Sequence, residues 1–132
     1  MPGRMRGEPG PCRKRRRRGM RLLLRPSLLV MLAEDGSHGY ELIDQLESLG
    51  FDPDCLDSSI IYRDLREMEE MGLIESSWDD EDTKGPKRRV YQINDQGWLQ
   101  LAEWLENLTH IQQQILDIKE RYQQLKAAKD KK

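Results

Sequence analysis

The chain has 132 residues, 36% of them hydrophobic and 35% charged, enough for one domain with an appendage. Its longest apolar run, Leu28 to Ala33, is too short to span a bilayer, and no signal-peptide core follows the basic first residues, which points to a soluble, cytoplasmic protein without a membrane partner. The net charge of -2 divides into +9 over residues 1–25 and -11 over residues 26–132, so a basic arm suited to a polyanion precedes an acidic body that disfavours indiscriminate nucleic-acid binding.

Residues 1–21 are rich in Gly, Pro and Arg, with little to bury, and predict a disordered basic arm. Within it Arg15, Arg16, Arg17 and Arg18 form the densest cationic run, suited to sequence-independent contact with DNA. Cys12 and Cys55 lie far apart and in no paired motif, which argues against a disulfide framework and against a metal site, and fits a reducing compartment. Cations beside Cys12 would lower its thiol pKa, so a redox role is open to it.

The body is predicted over residues 22–94. Pro26 suits the first turn of a helix, where its missing N–H costs nothing, and Leu28, Leu29, Met31 and Leu32 supply an apolar side. Gly36 can end that helix and Ser37 can cap the next, whose face is Tyr40, Ile43 and Leu46, extended by Leu42 and Leu49. Gly50 and Asp52-Pro53 make a turn. Asp57 can then cap a third helix, with Ile61, Leu65 and Met68 at i, i+4 and i+7 facing a core. Gly72 stops it. Two strand-like runs follow, Leu73 to Trp78 and Arg89 to Ile93, joined by a loop with a turn and a basic exit.

Helix, strand, charged loop, strand is the order of a winged helix-turn-helix. The third helix presents Ser58, Ser59, Ile60, Tyr62, Arg63 and Arg66 over its first turns, the part that reaches base edges in such motifs. Arg pairs with guanine edges, Ser with bases or phosphates, and Tyr with phosphates. The bland alternative is that Arg63 and Arg66 pair with Asp64, Glu67, Glu69 or Glu70 on a solvated face. In the wing, Lys84, Lys87, Arg88 and Arg89 suit phosphate contact, whereas Asp79 to Asp82 must point away from DNA or weaken its binding.

Asn94 or Asp95 can cap a long final helix over residues 95–126, with a charged tail at 127–132. Leu101, Leu105, Leu108, Ile111, Ile115, Ile118, Tyr122 and Leu125 recur at a mean spacing of ~3.4, near the heptad value. The domain is too small to cover such a stripe, so a second copy is the expected partner. Folding back on its own domain is the alternative. His38 and His110 are isolated, and no phosphate loop or nucleophile–base arrangement occurs, so neither an enzyme nor a cofactor is expected.

The segments Ser37-His-Gly-Tyr-Glu-Leu42, Ile61-Tyr62, Leu65-Arg66, Met68-Glu-Glu-Met-Gly-Leu73 and Gly85-Pro-Lys-Arg-Arg-Val-Tyr91, followed by Gly97, resemble PadR-type regulators. The resemblance runs from about Pro26 to Trp104. It implies a mainly α winged-helix protein with a small β hairpin, binding operator DNA as a homodimer, usually as a repressor, and dimerising through its last helix. Where that family often has Ser-Pro-Gly-Thr-Leu-Tyr-Pro, this chain has Asp57-Ser-Ser-Ile-Ile-Tyr-Arg63, which alters the expected operator more than the expected role. Some relatives of this type hold flat aromatic effectors near the last helix. Trp98 and Trp104 suit either the stacking of such a small planar effector or the dimer core. A protein–protein adaptor on a winged-helix scaffold is the rival reading of the body.

Overall fold

The computed structural model describes residues 14–34, 37–79 and 88–131, and of residues 14–20, 37–40, 79 and 88 the backbone alone. In chain order the elements are α1 (Lys14–Glu34), β1 (Ser37–His38), α2 (Gly39–Ser48), a 3-10 turn (Pro53–Cys55), α3 (Ser58–Glu70), β2 (Ile74–Asp79), β3 (Arg88–Ile93) and α4 (Asp95–Asp130).

The helices begin and end largely as their residue types dictate. The Asp57 carboxylate accepts the Ser59 N–H at 3.0 Å to open α3, and the Asn94 side-chain oxygen accepts the Gly97 N–H at 2.9 Å to open α4. Both α2 and α3 close on a left-handed glycine, Gly50 at φ 92° and Gly72 at φ 80°. In each case the next residue donates back across the turn, Phe51 N–H to the Leu46 carbonyl and Leu73 N–H to the Met68 carbonyl. A Cβ would disfavour that backbone, and the two bonds satisfy carbonyls left open by the helix end.

The sheet has the order β1-β3-β2, both pairings antiparallel, with Ile74 opposite Ile93 and Asp79 opposite Arg88 in the hairpin. Ser37, expected as a helix cap, instead pairs with Tyr91 as part of β1, two residues ahead of α2. A two-residue strand carries no alternation to read, so its pairing with β3 has no signature in the sequence.

The core forms where the helical stripes meet the sheet. Leu28 and Leu29 of α1, Leu42 and Leu46 of α2, Ile61, Leu65 and Met68 of α3, and Ile74 of β2 are all fully buried. The i, i+4, i+7 set on α3 faces inward as expected. Leu49 lies past the end of α2 and is exposed.

Two expectations for the N-terminal region do not hold. Residues 14–21, read as part of an unstructured arm, are helical, and Pro26 lies inside α1 rather than in its first turn. Arg, Leu and Met extend a helix readily once one end of it is docked, and buried Leu24 docks this one ahead of Pro26. The missing proline N–H costs about 3 kcal/mol in a helix interior, which the burial of Leu24, Leu28 and Leu29 on either side of it outweighs. The remainder of the arm, residues 1–13, falls outside the described residues.

Cys55, buried at the end of the 3-10 turn, is disulfide-bonded, where unpaired thiols were expected. The argument for a reducing compartment loses that support. The chain's other cysteine, Cys12, lies outside the described residues.

Candidate nucleic-acid interface

The third helix divides into faces with different partners. Ile61, Leu65 and Met68 enter the core. On one flank Ile60, Asp64 and Glu67 face α1 across a cavity of about 450 Å³ that Arg21, Leu24, Arg25 and Arg63 also line. On the other flank Glu69 accepts a 2.6 Å hydrogen bond from the Ser76 hydroxyl of β2, and Ser76 in turn accepts the Arg89 Nε–H at 3.1 Å. The Arg89 guanidinium lies 5.2 Å from the centre of the Trp78 ring. This chain of contacts fastens the hairpin to the C-terminal end of α3.

What remains outward on α3 is Ser59, Arg63, Arg66 and Glu70, with Ser58 at its start, all exposed. The competing reading, in which those arginines pair with local acids, does not describe the structure. Arg25 of α1 takes both Asp64, at 3.4 Å, and Glu67, at 2.9 Å. Glu69 goes to Ser76. Among the described residues neither Arg63 nor Arg66 has an ion-pair partner. Two guanidinium groups therefore stand free on one helix face, with five N–H donors each available to base edges or phosphates.

Two of the residues expected on the reading face are placed differently from the rest. Ile60 and Tyr62 are half-buried and pack against the core. Each lies a quarter turn or so from the outward face, on opposite flanks. In the wing, Lys84 and Lys87 lie outside the described residues, Arg88 is described as strand backbone opposite Asp79, and Arg89 is held on the hairpin by Ser76 and Trp78. Arg15, Arg16, Arg17 and Arg18 form helical backbone at the start of α1.

Beside this face the buried Tyr91 phenol is pushed above the ordinary tyrosine pKa by burial, with Arg89 opposing the shift and Glu69 adding to it. It stays neutral at physiological pH. Among the described residues no group of His, Cys, Asp and Glu could hold a metal ion, and no helix is long and apolar enough to cross a membrane.

The two tryptophans do not converge. Trp98 is 53% exposed, whereas Trp104 is half-buried against the core and lines a cavity of about 250 Å³ with Arg21, Leu22, Arg25, Pro26, Asn107 and Leu108. Six residues on a helix is well short of two full turns, so the pair diverges by about 120°. Leu101, expected at the dimer seam, is 5% exposed and belongs to the domain's own core, because the first turns of α4 lie on the body. From Leu105 outward most of the stripe is uncovered. Leu108 and Ile111 are half-buried, and Leu105, Ile115, Ile118, Tyr122 and Leu125 are exposed.

Sequence reasoning did not single out Arg25. Its partners stand 39 and 42 residues away, and nothing local marks an arginine before a proline as the partner of a distant helix.

Two helices joined by a turn, the second presenting free arginines beside a β hairpin, define a winged helix-turn-helix protein. The family of transcriptional regulators described as PadR-like matches residues 28–103, and the chain belongs to it. It is therefore a DNA-binding transcriptional regulator by family. Solved structures agree. A PadR-like transcriptional regulator from Bacillus cereus is 27% identical, with 76% of this chain and 95% of that one covered at a TM-score of 0.66. A conserved protein of unknown function, described as a potential transcriptional factor, is 33% identical, with 88% and 97% covered at 0.68. A PadR family regulator from Eggerthella lenta is 28% identical, with 72% and 76% covered at 0.57. No curated protein sequence matches the chain significantly.

Proposed function

We propose that the chain acts as a homodimer on a pseudo-palindromic operator, most simply as a repressor in the cytoplasm. The observation that carries this reading is the free arginine pair on α3. Asp64, Glu67 and Glu69 are occupied by Arg25 and Ser76, and among the described residues exposed Glu70 forms no ion pair with Arg63 or Arg66, so the two arginines keep their donors for DNA. The uncovered stripe of α4, from Leu105 to Leu125, supports the dimer. Two copies joined there would offer two reading helices, with half-sites about one helical turn, roughly 34–36 Å, apart. Arg15 to Arg18 and the basic wing residues Lys84, Lys87 and Arg88 would add contacts with phosphates. A small planar effector would use Trp104, which lines the cavity beside α1, while exposed Trp98 offers a second stacking surface on the same helix.

Sequencing the fragments that the purified protein selects from a random duplex pool tests this. Enrichment of an inverted repeat is the expected result. Binding without sequence preference would favour an adaptor on the same scaffold.

A further inference from the structure

Among the described residues Asp64 is the one buried charged side chain, at 8% exposure, and it sits on the reading helix. Its partner comes from outside that helix. Arg25 Nη2 donates to Asp64 Oδ1 at 3.4 Å and to Glu67 Oε1 at 2.9 Å, while Nη1 donates to Met71 Sδ at 3.7 Å. Residues 64, 67 and 71 run along one side of α3 for two turns. One planar guanidinium thus grips a line parallel to the helix axis, and on the opposite flank Glu69 is held to the hairpin through Ser76. We infer that Arg25 is a positioning residue for DNA reading, which fixes the rotation of α3 about its own axis and so aims Arg63 and Arg66.

The inference rests on the proposed DNA-reading role of α3. Rotation is the coordinate that matters for that role. Side-chain tips lie on the order of 6 Å from a helix axis, so a turn of about 15° moves them ~1.5 Å. That is enough to break a bidentate contact, whose donors must stay within about 3.2 Å of their acceptors. The core stripe of Ile61, Leu65 and Met68 holds the helix on the body through apolar contacts, which have no preferred direction. Charge-assisted hydrogen bonds do, and a fork-shaped guanidinium supplies them with fixed geometry.

Arg25 is 30% exposed, so direct contact with a phosphate is the competing explanation, and the two differ in what a DNA titration reads. The full-length wild type, Arg25→Gln, Arg25→Lys, Glu67→Gln and the Arg25→Gln/Glu67→Gln double variant are titrated with the selected duplex and with an unrelated duplex over a range of salt. Positioning predicts that Arg25→Gln lowers the ratio of the two affinities about tenfold, the scale of one misplaced base contact. Affinity for the unrelated duplex and its salt slope stay as in the wild type. Glu67→Gln lowers the ratio in the same direction, the double variant is no worse than Arg25→Gln alone, and Arg25→Lys recovers part of the loss. Should Arg25→Gln fail to fold, Glu67→Gln at its more exposed position carries the test. A phosphate contact predicts instead that Arg25→Gln weakens both duplexes and reduces the slope by about 0.9, with Glu67→Gln strengthening both, and either result overturns the inference. A wild-type preference that survives Arg25→Gln unchanged overturns it alone. A wild type with no preference at all overturns the DNA reading and this inference with it.

Discussion

The reading helix and the outer half of α4 are opposite cases. Around α3 the flanks are answered inside one protomer: Ile61, Leu65 and Met68 meet the core, Asp64 and Glu67 meet Arg25, and Glu69 meets Ser76. Among the described residues Arg63 and Arg66 are left without an ion-pair partner, on one face. Along α4 beyond Leu108 almost nothing is answered, and Ile115, Ile118, Tyr122 and Leu125 are half or more exposed. The helix runs for 36 residues, about 54 Å, far past the domain that anchors it. Unsatisfied polar groups on a packed helix suggest a polar ligand, and unsatisfied apolar groups on a projecting helix suggest another apolar stripe. On the proposed reading, the first region is completed by DNA and the second by a second chain.

Breaking the second region should have the largest effect. Because Leu101 and Trp104 pack on the body, a cut after Leu108 spares the core. The shortened protein is expected to sediment as a monomer and to lose operator affinity on the order of 10²–10⁴-fold, since the two half-site contacts no longer share an effective concentration. Leu108→Glu with Ile115→Glu in the full chain should act in the same way by placing like charges along the seam. A truncated protein that stays dimeric would move the interface elsewhere.

The junction of the two regions is next. Gly97 lies in the first turn of α4, where a Cβ would press on the Leu73 carbonyl oxygen and stand 2.6 Å from Ile93 Cγ1. Gly97→Ala should cost about 1–3 kcal/mol of stability, the scale of overpacking, as read from urea unfolding. An unchanged midpoint would mean that α4 meets the hairpin less closely than the structure has it. Asn94 caps the same helix and also donates from Nδ2 to the Gly72 carbonyl at 2.9 Å, tying α4 to the end of α3. For Asn94→Ala a loss of roughly 0.5–2 kcal/mol is expected, with dimerisation intact.

The smallest effect sharpens the first region. The Tyr91 pKa is raised by burial, so the unfolded state ionises before the folded one. Stability contributed by the neutral phenol is complete below about pH 10 and is lost as pH climbs through the higher folded value. Tyr91→Phe should flatten that alkaline decline in thermal unfolding. An identical decline in wild type and variant would place the titrating group elsewhere.

Much of this was legible in the residues because local rules agreed with the fold. The Ile61, Leu65 and Met68 spacing, the Asp57 and Asn94 caps and the two stop glycines each needed only neighbours a turn away. The misreadings share the opposite property. Pro26 looked like a helix start because its local preference was outvoted by packing of Leu24 on residues far along the chain. Leu101 fits a heptad as well as Leu108 does, and only the placement of α4 on the body separates core from seam. Ile60 and Tyr62 fell within the first turns of α3, but the three-dimensional flank decides which of those residues face outward. Arg25 depends wholly on distant partners.

The central claim is that the free arginines of α3 read base sequence. Affinities of the wild type, Arg63→Ala and Arg66→Ala across every single-base variant of the selected operator test it most directly. Each substitution is expected to flatten discrimination at one symmetric pair of positions, by roughly 1–3 kcal/mol, and to leave the other positions as they were. A uniform loss across all variants, with the discrimination profile unchanged, would contradict the claim and reduce both arginines to phosphate contacts.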